Sequence, residues 1–245
     1  MNPQDPRTIA RATGWLFVIT FVTSIPAYFI LYAPVRDNPN LITGAGADPT
    51  ASVALGALLE VILIIANVGT AVVLFPILKR QSERLALGYV TARLVESGFI
   101  AVGILSLLAV VTLQQDVGGP AGVGSLIPVG RSLVAIHDWT FLLGPGWVVG
   151  VGNGLLLGYL MYRTGLVPRR FAMLGLIGGP LIIASGIGVL FGAFDAGSAP
   201  QVIATVPEFF WELGLGVYLV VKGFKPSPIL ASGDAAPVAR VPELV

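Results

Sequence analysis

The sequence predicts an all-α fold, an integral membrane bundle of six transmembrane helices plus one outer interfacial helix. Of its 245 residues, 55% are hydrophobic and 11% are charged, whereas about 25% are charged in an ordinary soluble domain. The 14 Lys and Arg and 13 Asp and Glu are too few to cover a water-soluble globule of this size. Six apolar stretches reach the roughly 20 residues that a helix needs to cross the hydrocarbon core.

The six stretches alternate with polar, turn-rich segments, and they cover 14–33, 53–78, 85–113, 139–162, 171–194 and 202–223. The first is longer than the apolar core of a cleaved signal peptide, which has roughly 7–15 residues, so we expect it to remain as the first span. A polytopic helical membrane domain is therefore predicted over 1–224. Residues 225–245 are rich in Pro and Ala, which predicts a disordered cytoplasmic tail.

The segment 125–138 precedes the fourth stretch and is apolar apart from a few polar residues. A seventh span here would leave only 147–162 for the next crossing. It would also move the basic loop 163–170 to the side opposite the basic loop 79–84. An amphipathic helix lying at the outer surface avoids both problems, and we predict that arrangement.

Basic residues are concentrated on one side of the predicted bundle. Eleven of the fourteen Lys and Arg lie in loops or termini on that side, two lie on the other side, and one lies within a span. Cytoplasmic loops carry an excess of Lys and Arg. Both termini are therefore predicted to be cytoplasmic.

Ionisable and amide side chains within the spans are the candidate functional residues. A charge at the centre of the bilayer costs about 2.5–3.5 kcal/mol on insertion scales, so such residues must face the bundle interior and find partners. We predict one buried polar cluster or binding site, formed by Glu60, Asn67, Arg93, Glu96, His137, Asp138, Glu208 and Glu212. The sequence assigns no catalytic residue within this set.

The spacing of these residues predicts two local relationships. Arg93 and Glu96 are three residues apart, so they share a helix face and can pair. Glu208 and Glu212 are four residues apart on one apolar face, where their charges repel. Either one of the two carboxylates holds a proton, or both share a cation or an arginine.

Three interpretations of the cluster remain open. The first is a structural charge network, and the second is a pathway for a small solute, cation or proton that binds to the glutamates. The third is an intramembrane enzyme, metal-dependent or not, in which His137 and Asp138 act with the glutamates on a lipid or small amphipathic substrate. Zinc accepts His and carboxylate ligands, but the chain has one His, and we assign no metal ligands.

A stripe of glycines predicts close helix packing in the fourth stretch. Gly146, Gly150, Gly154 and Gly158 are spaced by four residues, so they lie along one helix face. A row of small residues allows the backbone of another helix to approach closely. We predict that these glycines pack against a neighbouring span, and a hinge or cavity wall is the functional alternative.

The sequence contains no Walker loop, dinucleotide fingerprint, HExxH or GxSxG motif, and we expect no cofactor. The net charge of +1 provides no overall field for a nucleic acid partner. The expected partner is the lipid bilayer. A small-molecule or cation ligand and an oligomeric assembly are both compatible with the sequence.

Four segments carry a resemblance to a known family. They are ALLEVILIIANVGTAVVLFPILKRQSERLALGYVTARLVES at 57–97, HDWTFLLGPG at 137–146, LLLGYLMYRTGLVPRRFA at 155–172 and PEFFWELGLG at 207–216. In this order they resemble a family of bacterial multi-pass membrane proteins known as the domain of unknown function numbered four-three-eight-six, over about residues 10–225. The resemblance implies a bacterial plasma membrane protein, and it supplies no catalytic residues.

Overall fold

The computed structural model describes residues 5–38, 48–116 and 120–231, and every element in them is helical. The α-helices are α1 (Pro6–Pro26), α2 (Ala33–Arg36), α3 (Thr50–Leu78), α4 (Glu83–Asp116), α5 (Pro120–Phe141), α6 (Gly158–Thr164), α7 (Arg169–Leu190), α8 (Ala199–Val221) and α9 (Pro228–Ala231). Three π-helical segments join them: π1 (Ala27–Leu31), π2 (Leu142–Val148) and π3 (Gly150–Leu157). The predicted all-α class is confirmed.

Six helices are long and apolar enough to cross a membrane, as predicted. They are Pro6–Arg36, Thr50–Leu78, Glu83–Gln115, Leu126–Thr164, Arg169–Leu190 and Ala199–Val221. Large apolar side chains point outward from them: Phe29 is 68% exposed, Ile65 65% and Ile203 69%. Charged side chains such as Arg93 are buried inside. This inside-out distribution identifies a protein that lies in a lipid bilayer, where only the bundle interior can solvate charge.

Local signals in the sequence set several helix ends. Asp5 Oδ1 accepts a hydrogen bond from the backbone N–H of Arg7 at 3.2 Å, which caps the start of α1. Asp48 accepts from the backbone N–H of Thr50 at 2.9 Å and from its hydroxyl at 2.6 Å. These two hydrogen bonds lower the pKa of the Asp48 carboxyl, just ahead of α3. Gly165, at φ 67°, ends α6 in the left-handed conformation that favours glycine.

The fourth span is longer than the sequence predicts. The segment 125–138 is helical, but it is part of α5 and continues through π2, π3 and α6 to Thr164. The 34 residues of α4 make it about 50 Å long, which exceeds the roughly 30 Å of the hydrocarbon core. α5 packs along α4, so the length of α4 beyond the hydrocarbon core provides a surface against which α5 can pack. The position of 125–138 at the outer membrane surface stays a prediction.

The six spans form a closed ring in chain order. α1 packs on α3, α3 on α4, and α4 on α5, π2 and π3. π3 packs on α7, α7 on α8, and α8 returns to α1. Each span therefore has one face toward a common interior, and polar side chains from different spans can meet there.

The residues that follow α8 are folded at least as far as Ala231. The Lys225 N–H donates to Leu166 O at 2.8 Å, and the Ser227 hydroxyl donates to Thr164 O at 2.5 Å. Arg80 Nη1 donates to Ile229 O at 3.2 Å. These contacts hold 225–229 against the loops at 80 and 165, and the disorder of the tail stays a prediction. Residues 232–245 lie outside the described part.

Glycines bring the fourth and fifth spans into close contact. A Cβ added to Gly150 would lie 2.8 Å from Gly179 O, and one added to Gly154 would overlap the Cα of Gly179. A Cβ added to Gly158 would lie 3.3 Å from Leu176 N. The nearest atoms to such a Cβ on Gly146 belong to its own span. Three of the four glycines in the stripe thus lie toward α7.

We predict that Gly179→Ala destabilises the protein. The added Cβ would lie 2.5 Å from Gly150 O, and overpacking of a close contact costs about 1–3 kcal/mol. The unfolding temperature of detergent-solubilised protein measures the effect. Gly98→Ala is the matched control, since a Cβ there has nothing within 4 Å and Ala favours the helix over Gly. Equal unfolding temperatures for the two variants would contradict the packing role of the glycines.

Candidate polar site in the helix bundle

Asn67, Arg93 and Glu96 form a closed hydrogen-bonded set, which we call the Arg93 triad. Arg93 Nη1 donates to Glu96 Oε2 at 2.7 Å, and Arg93 Nη2 donates to Asn67 Oδ1. Asn67 Nδ2 donates to Glu96 Oε1 at 3.1 Å. The triad joins α3 to α4 in the ring interior. The pairing of Arg93 with Glu96, predicted from their spacing, is present.

The Arg93 triad is buried and internally satisfied. Arg93 is 1% exposed, Glu96 4% and Asn67 1%. Arg93 Nε also lies 3.4 Å from Asn67 O, and its guanidinium lies 5.9 Å from the centre of the Phe17 ring on α1. Every carboxylate oxygen of Glu96 and the amide oxygen of Asn67 accepts a hydrogen bond. Such a set can persist in a low-dielectric interior.

A second set of polar side chains comes from the fourth and sixth spans. Asn153, Glu208 and Glu212, which we call the Asn153 group, are all buried. Asn153 Nδ2 donates to Glu212 Oε1 at 2.8 Å. The indole N–H of Trp211 donates to the backbone oxygen of Asn153 at 2.9 Å. These two bonds fix Asn153 against α8.

Glu208 has no hydrogen-bond donor in the described part of the chain. Both of its carboxylate oxygens and Oδ1 of Asn153 are buried without a partner there. Glu208 is only 2% exposed. Native proteins rarely leave buried polar atoms unpaired, so each such atom requires an explanation. An isolated carboxylate in an apolar interior requires a positive charge or a proton.

The backbone around Glu208 is glycine-rich and irregular. A Cβ added to Gly154 would lie 2.9 Å from Glu208 Oε2, and one added to Gly178 would lie 2.7 Å from the same atom. Only glycine at these two positions leaves room for the carboxylate. Asn153 and Gly154 belong to the π-helical segment π3, and π-helical turns occur frequently at functional sites.

Charges in the interior do not balance. Arg93 is hydrogen-bonded to Glu96 and is close enough to Glu212 for their charges to interact. Glu208 interacts electrostatically with Glu212 on the same face of α8, as the spacing predicts. One buried arginine therefore faces three buried carboxylates. Arginine stays protonated in proteins, so any additional positive charge comes from protons or from a bound cation.

The remaining candidates form an outer group nearer the other end of the bundle. The Tyr32 hydroxyl donates to Glu60 Oε2 at 2.9 Å. Arg36 Nε lies 3.1 Å from Asp138 Oδ1 and its Nη2 donates to Tyr28 at 2.7 Å. His137 Nδ1 lies 3.4 Å from Asp138 Oδ1. The Asp138 side chain is 47% exposed, whereas Glu60 and His137 are buried.

The eight predicted site residues thus fall into three groups instead of one pocket. No hydrogen bond or ion pair between described residues joins Glu60, His137 or Asp138 to the Arg93 triad. Glu60 and Asn67 are separated by about 10 Å along the axis of α3. This distance explains why Glu60 belongs to a different group from the Arg93 triad. Among the described residues, no three His, Asp or Glu side chains are close enough to hold a metal ion. The metal-dependent enzyme interpretation gains no support from them.

Sequence reasoning missed several residues of these groups. Asn153 is a buried amide in an apolar span, the same signal that identified Asn67, but its glycine-rich neighbours suggested only helix packing. Tyr32 and Arg36 are not among the predicted site residues. Both pair with acidic side chains from other spans. Such partners are distant in sequence, so only the folded chain reveals them.

Comparison with known proteins is consistent with this architecture. The family described as Domain of unknown function (DUF4386) matches residues 12–223. That range includes all members of the Arg93 triad and of the Asn153 group. No curated protein matches the chain, and no solved structure matches it. Since the family match covers most of the 245 residues, the chain belongs to the DUF4386 family of uncharacterised membrane proteins.

Proposed function

We propose that this chain provides a pathway for a small cation or a proton through a bacterial plasma membrane, with both termini in the cytoplasm. The observation that carries the proposal is the excess of buried acid, three carboxylates around one arginine in the ring interior. Ionisable residues inside membrane spans are rare, and they mark ion pathways and proton relays. The excess negative charge attracts a cation.

The contrast between the two central sets favours a pathway over a purely structural network. A structural network is expected to satisfy its own members, and the Arg93 triad does so. Within the described residues, neither oxygen of Glu208 is hydrogen-bonded. A bare buried carboxylate contributes nothing to folding, because leaving it without a counter-charge is costly. Its presence is better explained by a mobile positive charge.

The outer group supplies a route of access in this proposal. Asp138 is partly exposed, and it lies beside His137. Tyr32 contacts the ring of His137, with a centroid separation of 5.5 Å, and donates to the buried Glu60. Polar side chains therefore continue from the surface as far as Glu60, which lies about two helical turns from Asn67 along α3. The π-helical segments of the fourth span, with their irregular hydrogen bonding, provide a place where the bundle can rearrange.

The proposal predicts that Glu212→Gln abolishes pH-dependent cation flux in proteoliposomes. The amide keeps the shape of the carboxylate but cannot carry the negative charge that attracts the cation. We expect flux to fall about tenfold or more, which corresponds to about 1.4 kcal/mol. Glu83→Gln is the control, since Glu83 is exposed at the start of α4. Unchanged flux in Glu212→Gln would remove Glu212 from the pathway.

Arg93 is predicted to stabilise the fold. Arg93→Leu leaves Glu96 as an uncompensated buried carboxylate, so we expect a loss of about 3–5 kcal/mol, measured as a lower unfolding temperature in detergent. The double variant with Glu96→Gln should recover part of that loss, because it removes the unpaired charge. Arg131→Leu serves as the control at an exposed position. An Arg93→Leu protein as stable as the wild type would contradict the structural role of the triad.

The orientation of the chain is open to a direct test. Hydrogen bonds between 225–229 and the loops at 80 and 165 support a common side of the bundle for the two basic loops. The chain has no native cysteine, so single cysteines can be introduced. With a membrane-impermeant maleimide on intact cells, we expect Ala196→Cys to react and Gln81→Cys and Arg170→Cys to react only after lysis. Labelling of Gln81→Cys and Arg170→Cys from opposite sides would refute six spans.

A further inference from the structure

We propose that Glu208, Glu212 and Oδ1 of Asn153 form a binding site for a small monovalent metal cation, with Na⁺ as the ion that fits best. The inference deepens the proposed function and rests on it for the role of the ion, because it names the cargo or coupling ion of the same pathway. The site lies where the fourth, fifth and sixth spans meet, on π3, α7 and α8.

The two asparagine–glutamate pairs share one hydrogen bond but differ in their surroundings. In each pair the amide nitrogen donates to a glutamate, Asn67 to Glu96 at 3.1 Å and Asn153 to Glu212 at 2.8 Å. In the Arg93 triad the guanidinium bonds to both the amide oxygen and the carboxylate. The corresponding amide oxygen of Asn153 has no partner among the described residues. Arg93 is hydrogen-bonded to the first pair, whereas no cationic side chain among the described residues is hydrogen-bonded to the second.

The unpaired atoms of the proposed site share one chemical character. Both oxygens of Glu208 and Oδ1 of Asn153 are acceptors, and all three are buried without a hydrogen bond in the described part of the chain. Glu212 adds a second carboxylate four residues along α8. This set consists of oxygen acceptors only. Hard cations such as Na⁺ take oxygen ligands from carboxylates, amides and backbone carbonyls.

The surrounding charges are compatible with one added positive charge. On α8 the neighbouring titratable group is Glu212, and on α4 they are Arg93 and Glu96. Gly154 of π3 and Gly178 of α7 face Glu208, and neither residue carries a charge. Arg93 is committed to Glu96 and Asn67 by hydrogen bonds. A cation beside Glu208 would offset the negative charge of the carboxylates that Arg93 does not neutralise.

The close approach of the backbone to Glu208 favours a small, dehydrated ion. A Cβ added to Gly154 would lie 2.9 Å from Glu208 Oε2, and one added to Gly178 would lie 2.7 Å from the same atom. The carboxylate is therefore enclosed by backbone on two sides. Mg²⁺ gives up its water reluctantly, and a larger ion such as K⁺ needs a wider cavity. Zinc sites in proteins usually include a His nitrogen or a Cys sulfur, and neither residue type belongs to this set.

The test measures Na⁺-dependent stability of purified full-length protein in detergent at mildly alkaline pH. A ligand that binds the folded state raises its stability with concentration. NaCl is exchanged for LiCl, KCl or choline chloride at constant ionic strength. For the wild type we expect a saturable rise in unfolding temperature with Na⁺ that choline does not reproduce. Direct binding of radioactive Na⁺ to the same preparation gives the affinity.

Glu208→Gln is the decisive variant, and we expect it to weaken Na⁺ binding by at least about tenfold. The amide has the same shape and removes an unpaired charge, so in sodium-free buffer the variant should unfold at or above the wild-type temperature. Asn153→Ala, which removes Oδ1, should also weaken binding. Glu83→Gln is the charge-matched control at an exposed position and should bind Na⁺ normally.

The outcomes separate the site from the pathway. Equal effects of Na⁺, K⁺ and choline on the wild type would overturn the proposal, since they would show an ionic-strength effect only. A wild type that ignores Na⁺ but gains stability on acidification, with the gain lost in Glu208→Gln, would also overturn it, because the ligand would then be a proton. Specific Na⁺ binding without any flux in proteoliposomes would support the site and refute the proposed transport function.

Discussion

The cost of placing charge in an apolar interior constrains the whole bundle. Arg93 cannot lose its proton, so it must be surrounded by acceptors wherever it is buried. Asn67 and Glu96 provide those acceptors from α3 and α4, and the guanidinium also lies over Phe17 of α1. Three spans are thereby held at one point of the ring interior. The apolar outer surface can then face lipid.

The two asparagines illustrate how similar local chemistry leads to different roles. Asn67 lies in a regular helix, and its neighbours complete a neutral, satisfied triad. Asn153 lies in a π-helical segment packed on glycine, opposite two glutamates that no arginine contacts by hydrogen bond among the described residues. The first arrangement favours a fixed structure, whereas the second requires a positive charge from outside the fold. This difference separates the stabilising part of the interior from the part to which we assign binding.

Much of the architecture was predictable from the sequence because the membrane imposes strong rules. Spans need long apolar runs, so composition and hydropathy located all six. Helical periodicity placed Arg93 beside Glu96 and Glu208 on the same face as Glu212. The extent of the fourth span was not predicted, since 125–138 has the amphipathic character of a surface helix. Its unbroken continuation into the span is seen only in the folded chain. The three hydrogen bonds that join 225–229 to distant loops have no local signal in the sequence either.

By itself, the sequence determined that this protein lies in a bilayer, how many times it crosses and which side chains must turn inward. Those properties depend on local composition and on periodicity along one helix, which the sequence contains directly. Only the tertiary structure decided which inward side chains meet. It separated Glu60 from Arg93, paired Tyr32 and Arg36 with acids from other spans, and left Glu208 without a donor among the described residues. Contacts of this kind depend on how the spans rotate and pack against one another, and residues far apart in sequence carry no local signal of that geometry.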